Sequence, residues 1–209
     1  MRIGILALQG DFFEHAAILR GLDADRFAPI EAVEIRTTRQ LSEVDGLIIP
    51  GGESTTIGKL MHDCGLLDPL RERITAGMPT FGTCAGAIVL ARDIGGLTQP
   101  LIGIMDLSIR RNAFGRQLES FEIFLPIPVL GDPPMRAVFI RAPAIVSVAA
   151  GVEVLARLPD GTIVAARQGH MLVAAFHPEL TEDSRLHRYF VELVHGHVLA
   201  SAVNQTTVR

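Results

Sequence analysis

The chain has 209 residues, of which 48% are apolar and 20% charged, with a net charge of −4. That length supports one sizeable core or at most two small domains. The apolar share excludes a disordered chain, and the acidic balance offers no basic surface to nucleic acid or to an anionic membrane. The two cysteines, Cys64 and Cys84, are too few for a disulfide scaffold. With no signal peptide recognisable in "MRIGILALQG", a reducing cytoplasm is the expected location. No stretch reaches the ~20 apolar residues that a membrane span requires.

In chain order, "RIGILAL" reads as a strand buried on both faces. Asp11 is placed to cap the helix that follows, which Gly21 ends. "AVEIR" and "DGLIIPGG" are the second and third strands, the latter stopped by Pro50, Gly51 and Gly52. Helices are expected from near Thr55 to Gly65 and from about Leu67 to Ala76. "MPTFGT" is the fourth strand and "AGAIVLAR" the helix after it. Strands alternating with helices predict an α/β fold with a mostly parallel sheet covered on both faces. The second half changes character. "IGIMDLSIRR", "SFEIFLPI", "RAVFIRAP", "VEVLARL", "TIVAARQ" and "MLVAAF" are closely spaced strands, with a hairpin turn at "PDG", and they predict an antiparallel addition. A last helix is expected from about Asp183 to Leu199. The reading is one domain over residues 1–200, with a polar tail, 201–209, that frays. In such sheets sites lie beyond the carboxyl ends of the strands, so the informative loops follow Leu8, Pro50, Thr83 and Phe176.

The loop after Thr83 carries G-x-C-x-G in Gly82-Thr83-Cys84-Ala85-Gly86. This spacing at a strand-to-helix turn has the form of a nucleophile elbow. Such a turn strains the nucleophile's dihedrals and tolerates only small neighbours. It also sets the sulfur among free N–H groups at a helix start, which favour a thiolate and stabilise an oxyanion. A lone buried cysteine is otherwise simply a small apolar residue. Of the seven histidines, His15, His62, His187, His195 and His197 sit in helical patterns, where a solvated face is the expectation for most. His177 differs because it closes an apolar strand and is followed by Pro178 and Glu179. Proline stiffens this segment and holds the carboxylate two residues from the imidazole, in the relation a nucleophilic triad needs. As a bare motif, "HPE" also reads as a strand-ending turn.

"GTCAGAIVLA" with "FHPEL" resembles the triad-type class I glutamine amidotransferases. "ILALQGDFFEH", "GLIIPGGESTTIGKL", "RRNAFGRQLESFE", "VFIRAP" and "FHPELTEDSRLHRYF" extend the resemblance, from residue 3 to about 190, to the glutaminase subunits of pyridoxal 5'-phosphate synthase. The resemblance implies a flavodoxin-like α/β fold with Cys84 as nucleophile and His177 with Glu179 as the relay pair. It assigns Gly52, Glu53 and Ser54 to the loop that holds glutamine, and Arg111, Ile140 and Arg141 to further substrate contacts. Read from the residues alone, Arg110, Arg111, Arg116 and Arg141 are also compatible with a plain surface, and Glu53 with a first-turn helix acid.

The expected chemistry is hydrolysis of glutamine to glutamate and ammonia through a Cys84 thioester. Backbone N–H groups of Ala85 and of the Gly51-Gly52 turn would hold the oxyanion. No metal or organic cofactor is needed. The resemblance implies that ammonia passes to a synthase subunit, within a large hetero-oligomer, for pyridoxal 5'-phosphate biosynthesis. The rival readings are a glutaminase serving another synthase and a catalytically silent partner-binding scaffold. A peptidase or stress-response protein on the same fold is a weaker third, against which "PGGEST" argues.

Overall fold

The structure, a computed structural model, describes residues 1–22, 29–111, 113 and 120–207, with side chains through residue 203. Its first half is built of β1 (Arg2–Leu6), α1 (Phe12–Gly21), β2 (Glu31–Ile35), α2 (Thr38–Ser42), β3 (Gly46–Ile49), α3 (Ser54–Asp63), α4 (Leu67–Thr75), β4 (Thr80–Thr83) and α5 (Ala85–Leu90). Then come β5 (Ala91–Asp93), β6 (Met105–Arg110), β7 (Ser120–Leu125), β8 (Met135–Ile140), β9 (Ala144–Val148), β10 (Glu153–Arg157), β11 (Ile163–Gln168), β12 (Met171–Ala174) and α6 (Arg185–Thr207).

Strands β2-β1-β3-β4-β12 lie side by side and parallel. The sheet continues through β11, β9 and β6, each antiparallel to its predecessor, with β5 parallel to β6 at the edge and β10 on β11. β7 and β8 form a separate antiparallel ribbon. This is the mostly parallel sheet with an antiparallel addition that the sequence predicts. Side chains alternate across each strand. Leu47 and Ile49 of β3 pack with Ile57, Met61, Leu70 and Ile74 of α3 and α4. Ile48 between them faces the other way, toward Leu19 of α1 and Phe190 and Val194 of α6. Both faces of the parallel strands are therefore buried, which explains their nearly unbroken apolar runs. No helix of the described residues is long and apolar enough to cross a membrane.

Four local expectations are corrected. The helix after Cys84 does not reach Arg92. The Val89 carbonyl accepts from Ile102 N (2.8 Å) and Gly103 N (3.1 Å), and the Leu90 carbonyl from Ile104 N (3.1 Å). These bonds end the helix, and Ala91 then pairs with Met105 in the sheet. The final helix does not stop at Leu199 but runs to Thr207, into the segment expected to fray. β9 is absent from the expectation: Pro143 reads as the end of "RAVFIRAP", and nothing local announces a further strand starting at Ala144. Asp11 stands at the N-terminus of α1 but its side chain makes no capping bond; it turns toward His177.

Candidate active site

The elbow follows from backbone contact between neighbouring elements. β4 and β12 run parallel with Thr83 opposite Ala174, and Cys84 N donates to the Ala174 carbonyl at 2.8 Å. Cys84 then takes φ 46° and ψ −102°, a conformation that costs a non-glycine residue energy and persists only when its surroundings enforce it. The flanking glycines permit the enforcement. A Cβ on Gly82 would lie 2.6 Å from the Gly86 carbonyl carbon, and one on Gly86 would run into the Ile49 carbonyl oxygen. Helix and sheet thus meet backbone to backbone behind the thiol. α5 is short, so its macrodipole is modest. The N–H groups of its first turn nevertheless have no intrahelical acceptor.

His177 leaves the end of β12 beside the elbow, its N–H bonded to the Val138 carbonyl at 2.8 Å. Pro178 opens a single 3-10 turn, Pro178–Leu180, which swings Glu179 back under the imidazole. His177 Nδ1 is 2.6 Å from Glu179 Oε1 and 3.4 Å from Asp11 Oδ2. Burial disfavours charge on His177, but hydrogen bonds with Asp11, Cys84 and Glu179 outweigh it and push the ring up to about 12. Glu179 is itself buried, and burial pushes its carboxyl up against the pull of His177. Its hydrogen bond with His177 holds Asp11 below the usual carboxylate range.

Behind Glu179 stand two further histidines. His15 Nε2 is 3.5 Å from Glu179 Oε2 and 3.1 Å from Thr83 Oγ1, while His15 Nδ1 meets His187 Nε2 at 2.8 Å. Both rings are 0% exposed. Burial pushes His15 well below its ordinary value and His187 down to about 3. For these two the expected solvated face is wrong. α1 and α6 turn these positions toward the sheet, and helical periodicity alone does not say which polar residue faces inward.

The cleft in front of Cys84 and His177 encloses about 370 Å³ and is lined by Gln9, Asp11, Gly52, Glu53, Ser54, Ile88, Arg111, Ile140, Arg141 and Leu180. Of the residues singled out from sequence, Cys84, His177, Gly52, Glu53, Ser54, Arg111, Ile140 and Arg141 meet there. Glu179 lies behind His177, and Gly51 and Ala85, outside the lining, are buried beside Gly52 and Cys84. Glu53 is the N-cap of α3, with Oε1 accepting from Thr55 N (3.1 Å) and Oε2 from Thr56 N (2.7 Å). Burial opposes its charge, but the bonds from Thr56 and Thr55 prevail and hold it at about 2. Arg111 donates to Glu53 Oε1 (2.8 Å), Thr55 Oγ1 (3.0 Å) and Gln99 Oε1 (3.2 Å). Arg141 projects from a backbone at φ 43°. Arg116 and most of "RNAFGRQ" lie outside the described residues. Sequence reasoning missed Gln9, whose Oε1 accepts from Glu53 N at 2.8 Å, and the inward turn of Asp11. The only available signal was their position just past β1. Asp11, His177 and Glu179 offer potential metal-ligand atoms within 4.8 Å of one another, but Nδ1 of His177 and Oε1 of Glu179 are already spent on each other.

A strained thiol on a strand-to-helix elbow, beside an imidazole backed by a buried carboxylate, defines the thiol branch of the nucleophile-elbow α/β proteins. The comparisons narrow this class. Residues 5–196 match the SNO glutamine amidotransferase family. A protein of Carboxydothermus hydrogenoformans, "Pyridoxal 5'-phosphate synthase subunit PdxT", is 57% identical over 194 residues, covering 93% of this chain and 98% of that one. The equally named protein of Roseiflexus sp. is 56% identical over 195 residues, covering 92% and 100%. A solved structure described as "Crystal structure of glutamine amidotransferase" superposes with a TM-score of 0.83 at 50% identity, covering 92% of this chain and 98% of that one. A chain of PurLQS from Thermotoga maritima, 12% identical with a TM-score of 0.63 and covering 96% and 98%, shares the fold. The chain belongs to the SNO glutamine amidotransferase family.

Proposed function

We propose that this chain is the glutaminase subunit of a pyridoxal 5'-phosphate synthase, acting as one domain through Cys84, His177 and Glu179. The observation that carries the reading is Cys84 at φ 46° on the elbow, facing a cleft with His177, whose Nδ1 is held by Glu179. Identity above 50% over nearly the whole chain to relatives named for that synthase supports the pathway.

With Nδ1 occupied by Glu179, Nε2 of His177 is the nitrogen left to exchange a proton with Cys84. His177 takes the thiol proton and the thiolate attacks the side-chain carbonyl carbon of glutamine. The carbonyl oxygen becomes an oxyanion, held by backbone N–H groups of Ala85 and of the Gly51-Gly52 turn. The C–N bond breaks, ammonia leaves with the proton from His177, and a thioester remains. His177 then deprotonates a water, which attacks the thioester, and glutamate leaves as Cys84 recovers its proton. Each step is a proton or acyl transfer carried by these side chains. Arg141 and the loop Gly52-Glu53-Ser54, ordered by Arg111, receive the α-amino acid end of the substrate. The ammonia passes to a synthase subunit in a large hetero-oligomer. A reducing cytoplasm suits a working thiolate.

The test is glutamine hydrolysis by the chain mixed with its synthase subunit. Cys84→Ala is expected to abolish ammonia release while leaving the thermal unfolding curve near wild type, and Cys64→Ala, which removes an exposed thiol, to be active. Full turnover by Cys84→Ala would sink the assignment.

A further inference from the structure

The relay does not end at Glu179. Oε2 of that carboxylate has no hydrogen-bond partner, yet it is wholly buried, and His15 Nε2 stands 3.5 Å from it. Three polar side chains, Thr83, His15 and His187, are all 0% exposed in this part of the core. An apolar trio there would have been cheaper to bury, so their arrangement calls for an explanation.

The tautomers can be worked out from the partners. The contact between His15 Nδ1 and His187 Nε2, at 2.8 Å, needs one donor and one acceptor. Suppose His15 Nδ1 carried the proton. His187 would then carry its own on Nδ1, which has no partner, leaving a buried donor unpaired. His15 Nε2 would also aim a lone pair at a carboxylate oxygen. In the opposite arrangement His187 Nε2–H donates to His15 Nδ1. His187 Nδ1 is then a bare lone pair, which costs less to bury than an orphaned N–H. His15 carries its proton on Nε2, pointing at Thr83 Oγ1 (3.1 Å) and at Glu179 Oε2. Only the second arrangement places a positive end against Glu179.

We propose that His15 is a positioning residue for glutamine hydrolysis: its Nε2–H, fixed by His187 and shared with Thr83, steadies the inner oxygen of Glu179 so that the outer oxygen stays on His177 Nδ1. This rests on the reading of Cys84, His177 and Glu179 as the catalytic relay. The need is visible in the geometry. Asp11 Oδ2 competes for the same nitrogen of His177 from 3.4 Å. A Glu179 that rotated or took up a proton would leave the ring to that half-buried rival. A donor at the back of the carboxylate favours the ionised, correctly turned Glu179. His15 touches neither substrate nor thiol; it acts through Glu179.

Two measurements test this. In the assembled enzyme, His15→Leu is expected to lower kcat about 10- to 100-fold with KM unchanged, as loss of orientation in a proton relay does. His15→Gln, whose amide nitrogen reaches the Nε2 position, is expected to recover most of the loss. A folded His15→Leu with wild-type kcat, or equal damage in both variants, overturns the proposal, the latter outcome marking His15 as packing alone. Independently, ¹⁵N NMR of the wild-type chain is expected to find His15 neutral with its proton on Nε2. A proton on Nδ1 overturns the proposal however the variants fold. Should the wild-type complex itself fail to hydrolyse glutamine, the functional reading is what has failed, and the tautomer still decides the hydrogen-bond arrangement.

Discussion

At His177 burial and hydrogen bonding oppose each other, and the bonds win. The ring is pushed up to about 12, so the imidazolium persists well above the ordinary 6.5. The sign for stability follows. The contribution of this group is complete below pH 6.5 and is lost as pH rises from there toward about 12. NMR titration should therefore find His177 still protonated at pH 8, the state it holds once it has taken the Cys84 proton, and a neutral ring at pH 7 would show that burial outweighs these bonds. Substrate recognition makes a second prediction at this scale. Arg111→Ala and Arg141→Ala should each chiefly raise the KM for glutamine, with a charged hydrogen bond worth about 1.5–3 kcal/mol. Arg111 is tied to Glu53, so its loss also loosens the loop beside Ser54. Unchanged KM and kcat in both variants would make these arginines surface residues.

The elbow is a property of two elements held at backbone contact. α5 approaches β4 so closely at Gly82 that a Cβ there would press on the Gly86 backbone, and a methyl group on Gly86 would meet a main-chain oxygen of β3, that of Ile49. Backbone cannot yield as a flexible side chain can. Gly86→Ala is thus expected to destabilise the fold by about 1–3 kcal/mol, the usual range for an overpacked core. It should also lower kcat, because the helix start that presents Ala85 N–H must shift. Thermal unfolding together with turnover checks this, and a variant as stable and active as wild type would show that the contact is slack. The same region was readable in the sequence, since Gly-x-Cys-x-Gly between an apolar strand and a small-residue helix states its own geometry. The early end of α5 was not readable. The bonds that end it come from residues 102–104, and no local signal at Ala91 announces them.

For the molecule as a whole, four strand ends converge. β1, β3, β4 and β12 are neighbours in the sheet, and their following loops supply Gln9 and Asp11, Gly52 to Ser54, Cys84, and His177. The first two loops are laced together: Gly51 O accepts from Asp11 N at 3.3 Å and Gln9 Oε1 from Glu53 N. A contact made on either loop is therefore felt at Gly51-Gly52, where glycine lets the peptide rotate at little steric cost. Docking of the synthase subunit is expected to raise kcat at saturating glutamine about a hundredfold, the effect of supplying one oxyanion donor. An isolated chain already at full rate would rule out that switch.

The sequence by itself determined the alternation of strands and helices, the elbow around Cys84 and the stiff His177-Pro178-Glu179 turn. Each rests on interactions between residues a few positions apart, where steric limits on glycine and proline leave a local mark. It also located Glu53, though not its part as the cap of α3. Only the tertiary structure decided which histidines are buried, because His15 and His187 lie on helices at opposite ends of the chain. They meet each other, and His15 meets Thr83 and Glu179, only when α1 and α6 pack on the same face of the sheet. The same holds for Asp11, which a helix start invites to cap and which the packing of α1 against the turn Pro178–Leu180 turns instead toward His177. Which polar side chain faces a core is settled by what the core already holds there, and that information is spread over the whole chain.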